Sequence, residues 1–146
     1  PTAPRQEPAI CNAIGRCRVV TGRISRVLEV HSALYTTLLI LSLGLTAWAL
    51  FFIATGRPVD GAFRSTYILS IGVAVAQALV GLILFLDDYR PASSFHYLYG
   101  ISLVVFTGAG YVFSSRGSSR REPLILGIAS AAAVGLIWRA WTTAHG

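Results

Sequence analysis

Charged side chains are scarce in this chain of 146 residues. Only 12% of the residues are Asp, Glu, Lys or Arg, against about 25% in an ordinary soluble domain. Lysine is absent, so all twelve basic residues are arginines, and the formal net charge is +6. The arginines are scattered between apolar runs instead of gathered on one face, which argues against a nucleic-acid partner. With 54% apolar residues, the composition excludes a disordered chain and favours an integral membrane protein.

The motifs of several enzyme classes are also absent. The sequence has no glycine-rich phosphate loop, no HExxH motif and no serine nucleophile elbow. Every carboxylate lies outside the long apolar runs, whereas proton relays and ion pathways normally need an ionisable residue within the membrane. The two cysteines, Cys11 and Cys17, match no zinc or haem-attachment spacing, and a disulfide between them requires an oxidising compartment. We therefore expect a cofactor carrier or a subunit, and not an enzyme that acts alone.

Long uncharged runs dominate the rest of the chain. Three of them have 22 to 25 residues, and about 20 suffice for a helix to cross the hydrocarbon core. A fourth run, from Pro123 to Trp138, has 16 residues, and Arg139 after it can extend its charge toward the headgroups. The sequence thus predicts four membrane spans. They cover residues 32–56, 65–86, 93–115 and 122–142.

Short polar connections between the spans predict that successive helices pack antiparallel. The predicted fold is all-α: an up-down-up-down four-helix bundle of residues 31–146, in a multi-pass protein of a bacterial cell membrane. In residues 1–30, apolar residues from Ile10 to Leu28 recur at helical spacing, with arginines largely on the other side. We interpret this part as a basic amphipathic segment that lies at the interface or docks on a partner. A partly ordered basic tail is the alternative.

Two histidines are expected at the same depth of this bundle. His31 opens the first span and His96 opens the third, and these helices run in the same direction as diagonal partners roughly 13 Å apart. Such a gap suits two imidazoles with a metal ion between them, each nitrogen at about 2 Å from it. A b-type haem with His31 and His96 as axial ligands fits this arrangement. The alternative is that both are ordinary interfacial histidines, since amphipathic side chains are common at the membrane surface.

Further candidate site residues are predicted at the same rim. Gly81 and Gly100 would leave space for a flat macrocycle, Arg139 could pair with a haem propionate, and Tyr35 adds a hydrogen-bonding group. Gln77 lies inside the second span, where its amide needs a partner because lipid offers none. We expect an interhelical hydrogen bond there, with contact to a cofactor or quinone as the alternative.

Three short segments carry a resemblance to a known family. They are Glu29-Val30-His31, Gln77-Ala78-Leu79-Val80-Gly81 and Phe95-His96-Tyr97-Leu98-Tyr99. In order and spacing, residues 28–110 resemble one four-helix half of the haem A synthase family. The resemblance implies that His31 and His96 are paired haem ligands, and that the segment from Gln77 to Gly81 belongs to the helix between them.

The sequence therefore predicts a small membrane b-type cytochrome, a haem-bearing electron-transfer subunit in contact with lipid and with other subunits. The competing hypothesis is a cofactor-free accessory subunit of a respiratory or photosynthetic complex. It rests on the small size, on the absence of charge deep within a span, and on the basic segment at residues 1–30. Haem absorbance would separate the two hypotheses.

Overall fold

The computed structural model describes the backbone of residues 9–11, 17–19, 22–114 and 121–145. Four α-helices make up most of it. They are α1 (Gly22–Thr55), α2 (Gly61–Leu86), α3 (Phe95–Phe113) and α4 (Arg121–His145). All four are long and apolar enough to cross a membrane, which confirms the prediction of four apolar helices of membrane-spanning length.

Helix α1 begins earlier than the first predicted span. Its 34 residues make it about 50 Å long, because an α-helix rises about 1.5 Å per residue. The hydrocarbon core is only about 30 Å thick, so one end of α1 must extend beyond it. Neither proline nor glycine interrupts the chain between Gly22 and Gly44, which lets the helix continue through residues 22–30. His31 consequently lies well inside α1 and not at its start.

Two short strands precede the helices. Strand β1 (Ala9–Cys11) pairs antiparallel with β2 (Cys17–Val19). These six residues differ from the helical conformation that the apolar spacing predicts, and Gly15 between the strands disfavours a continuous helix. The side chains of both strands lie outside the described part of the structure. The amphipathic segment predicted there therefore stays a prediction.

The helices pack in a closed order. Helix α4 packs along both α1 and α3, and α1 also packs along α2, whereas α2 and α3 share the smallest contact of the four. Among the described residues, no Cα of α1 lies within 8 Å of α3, and none of α2 lies that close to α4. Helices α1 and α3 are therefore diagonal, as are α2 and α4.

Two clusters of buried apolar side chains fill the interior. One joins the second half of α1, the turn after it and the first halves of α2 and α4. We call it the aromatic cluster, and it contains Leu45, Ala49, Phe52, Val59, Phe63, Tyr67, Leu126 and Ala129. The other lies nearer the histidines and contains Leu38, Ala74, Leu103, Ala133 and Ile137. The outer surface is also apolar, with Leu86 and Val112 about 70% exposed. Such a surface suits contact with lipid.

Close approaches and polar contacts fix the helices beside the aromatic cluster. The hydroxyl of Tyr67 donates a hydrogen bond to the carbonyl oxygen of Thr107, at 3.1 Å. Gly110 lies so close to α4 that a Cβ added to it would lie 2.5 Å from the Cβ of Ala129. Together they join α3 to both of its neighbours at the end of the bundle away from the histidines.

Candidate functional site

Two diagonal helices bring their histidine side chains together inside the bundle. The ring centroids of His31 and His96 lie 6.2 Å apart, and the ring planes are tilted by 51°. His96 is the second residue of α3, whereas His31 lies in the tenth position of α1. Both rings are half-buried. We call these two residues, with Gln77 and Gly81 on α2, the histidine site.

The helix backbone holds His96 from one side. Its Nδ1 donates to the carbonyl oxygen of Ala140 on α4, at 2.9 Å. A carbonyl oxygen only accepts, so Nδ1 carries the proton and Nε2 keeps its lone pair in the neutral ring. Ligand histidines in metalloproteins commonly have this pattern, with one nitrogen bound to a protein acceptor and the other facing the metal.

A side-chain amide holds His31. The Nε2 atom of His31 lies 3.2 Å from the Nε2 atom of Gln77, so α1 and α2 share a polar contact. This contact confirms the interhelical hydrogen bond expected for Gln77. The other ring nitrogen, Nδ1, is buried and has no hydrogen-bond partner among the described residues. Each histidine thus has one ring nitrogen in contact with the protein.

Unpaired polar atoms gather at this end of the bundle. Three buried side-chain atoms lack a partner in the described part of the chain: His31 Nδ1, Gln77 Oε1 and the hydroxyl of Tyr97. The Tyr97 ring packs edge-on against Phe85, with centroids 5.4 Å apart, and also lies beside His96. Native proteins leave few buried polar atoms unpaired. All three belong to the histidine rim of the bundle, on α1, α2 and α3.

The other predicted site residues have different surroundings in the structure. A Cβ added to Gly81 would lie 3.5 Å from Cε1 of His31, so this glycine lies beside the ring. Gly100 has open space on its Cβ side, with no atom within 4 Å. The guanidinium of Arg139 lies over the ring of Tyr99, 5.9 Å from its centroid. Tyr35 stacks on Trp141, with centroids 5.1 Å apart.

The donor atoms at the histidine site limit which metal ions it could hold. No group of three or more His, Cys, Asp or Glu side chains able to hold an ion occurs among the described residues. A structural zinc ion needs four protein ligands, which this site does not provide. Two imidazoles that bind one ion from opposite sides, each through a nitrogen at about 2 Å, have centroids roughly 6 Å apart. The observed centroid spacing of 6.2 Å is close to that value.

The opposite end of the bundle has a different character. There, Arg64 forms a bidentate ion pair with Glu122, with both N–O distances 2.8 Å. A small cavity of about 90 Å³ lies nearby, lined by Phe52, Ile53, Gly56, Arg57 and Pro123. The cavity is too small for a macrocycle and lies far along α1 from His31.

Comparison of the chain with protein-family models, with curated proteins and with solved structures gives no match. Function is therefore inferred from the geometry of the histidine site. Sequence reasoning missed one contact in it and predicted the other without naming its partner. The carbonyl of Ala140 has no signature in the sequence, because every residue carries one. The contact of Gln77 with His31 had a signal, since both are polar groups in apolar helices.

Proposed function

We propose that this protein is a membrane b-type cytochrome, with His31 and His96 as the axial ligands of one haem. The observation that carries the proposal is the 6.2 Å spacing of the two rings across the bundle. The resemblance of residues 28–110 to a half of the haem A synthase family leads to the same pair of ligands. A bound haem would supply reversible one-electron chemistry, and the protein would serve as an electron-transfer subunit of a larger membrane complex.

The residues around the rings have separate parts in this proposal. Ala140 orients His96 through its carbonyl oxygen and leaves Nε2 available. Gly81 places no side chain beside the ring of His31, and Gly100 has open space on its Cβ side. Arg139, which is exposed, supplies a cation for a propionate, and apolar helices on all sides limit the access of water.

The first test of the proposal is the absorption spectrum of purified protein, produced with ample haem and recorded oxidised and reduced. We expect a Soret band and the sharp α-band of a six-coordinate low-spin haem. His31→Ala and His96→Ala should each lose haem or give a five-coordinate spectrum. His145→Ala is the matched control, because His145 is the third histidine of the chain and is not one of the proposed ligands. Wild-type protein without a Soret band would refute the proposal and favour the cofactor-free accessory subunit.

We also propose that the four helices cross the membrane in an up-down-up-down order. The contacts that support it are those of antiparallel neighbours. Phe52 near the end of α1 packs against Phe63 near the start of α2, and His96 near the start of α3 contacts Ala140 near the end of α4.

Accessibility labelling in vesicles tests this order, with both native cysteines first replaced by serine. Cysteines introduced at Gly61 and Arg121 should be labelled from one side of the membrane, and a cysteine at Ser94 from the other. All three positions are exposed in the structure. Labelling of Gly61 and Ser94 from the same side would contradict the proposed order.

A further inference from the structure

The amide of Gln77 faces the ring of His31 with its nitrogen, whereas the N–H of a metal-bound imidazole needs an oxygen as its acceptor. As placed, the amide nitrogen of Gln77 faces Nε2 of His31 at 3.2 Å. The amide nitrogen only donates, so Nε2 must accept and the proton of the neutral ring must be on Nδ1. That proton is then buried without an acceptor, and Gln77 Oε1 is buried without a donor. Native proteins leave few buried polar atoms unpaired.

A half-turn of the amide about its last side-chain bond reverses these roles. The oxygen and nitrogen of a glutamine amide have nearly the same shape, so the turn needs little extra space. Oε1 then accepts a proton from Nε2 of His31, and Nδ1 is left with a lone pair and no proton.

We propose that Gln77 is a positioning residue for His31, an inference that rests on the proposed function. Its Oε1 accepts a hydrogen bond from the N–H of this ring when the other ring nitrogen binds iron. A neutral ligand imidazole always has its second nitrogen protonated, and that N–H needs an acceptor when it is buried. Ala140 supplies the acceptor for His96. Within the described part of the chain, the Gln77 amide is the polar group that lies within hydrogen-bonding distance of His31.

The consequence is control of the midpoint potential of the haem. A hydrogen bond from the ring N–H to an acceptor makes the imidazole a stronger electron donor, which stabilises the oxidised iron and lowers the potential. The strength of the acceptor should therefore set the potential. A carboxylate in place of the amide is a stronger acceptor, and a thioether of similar length is a much weaker one.

Redox titration of the purified, haem-loaded protein, followed by its absorption spectrum, tests the proposal. We expect the midpoint potential of Gln77→Met to be higher than that of the wild type, and that of Gln77→Glu to be lower, with six-coordinate spectra in both. Ser70→Ala is the matched control on α2, since its buried hydroxyl bonds the carbonyl oxygen of Tyr67 at the other end of the bundle. Its potential should equal that of the wild type.

The outcomes distinguish this inference from the proposed function. Wild-type protein that shows no Soret band overturns both. Wild-type protein with bis-histidine absorbance, but with the same midpoint potential in Gln77→Met, overturns the role of Gln77 alone. If the buried carboxylate of Gln77→Glu prevents folding, the comparison of Gln77→Met with the wild type and with Ser70→Ala decides the question.

Discussion

Replacement of Gly110 by alanine tests how closely α3 must approach its neighbours. The added Cβ would lie 2.5 Å from the Cβ of Ala129 on α4 and 2.6 Å from the hydroxyl oxygen of Tyr67 on α2. Tyr67 is 1% exposed and its hydroxyl is bound to Thr107, so it has little freedom to move aside. The Cβ of Ala129 is fixed to the backbone, so that α4 itself must shift.

The free-energy change follows from these distances. Carbon atoms in contact lie about 3.5–4.0 Å apart, so the methyl group must push α3 and α4 apart by about 1 Å. Overpacking of this kind costs about 1–3 kcal/mol, and weakening of the Tyr67 hydrogen bond costs about 1 kcal/mol more. The substitution also stabilises the helix by about 0.5–1 kcal/mol, because glycine loses more backbone entropy than alanine on folding. We expect Gly110→Ala to lower the free energy of unfolding by about 2 kcal/mol.

The assay is unfolding of the purified protein in mixed micelles with increasing sodium dodecyl sulfate, followed by circular dichroism. Gly108→Ala is the matched control, because it lies on the same helix and an added Cβ there has no atom within 4 Å. The control should be as stable as the wild type, or more stable by up to about 1 kcal/mol. If the two variants unfold at the same detergent fraction, the close contact between α3 and α4 is refuted.

Three further predictions concern other contacts of the bundle. Gly127→Ala should destabilise the protein less than Gly110→Ala, by about 1 kcal/mol in the same assay. Its Cβ would lie 2.9 Å from the Cβ of Ala49 and at an ordinary 4.0 Å from Cδ1 of Ile53. Equal losses would contradict this ranking. Arg64→Met should lower the melting temperature more than Glu122→Gln. Glu122 is 7% exposed, and without Arg64 its buried carboxylate would lose its cation. The reverse order would show that Arg64 does not stabilise the buried carboxylate. Gly81→Ala should keep the haem spectrum, since a methyl group at 3.5 Å from His31 is an ordinary contact. Gly81→Leu should abolish haem binding without unfolding the protein. Retention of haem in Gly81→Leu would place the site elsewhere.

The sequence alone determined the membrane-spanning character of this protein. A run of more than 20 uncharged residues is a local property, and the thickness of the hydrocarbon core converts it into a helix of known minimum length. The same reasoning placed His31 and His96 at one rim and required a partner for Gln77, because an amide in lipid has no water to bind. The start of α1 was beyond this reasoning, since polar residues continue a helix outside the membrane as readily as apolar ones.

Only the tertiary structure decided which groups meet. The 6.2 Å spacing of the two imidazoles depends on how each helix is rotated about its axis and on how closely diagonal helices approach. Close approaches, such as that at Gly110, set these quantities, and Gly108 two residues earlier looks equivalent in the sequence. The carbonyl of Ala140 is likewise invisible in the sequence, because a backbone acceptor is identical at every position until the packing of α3 on α4 brings one of them to His96.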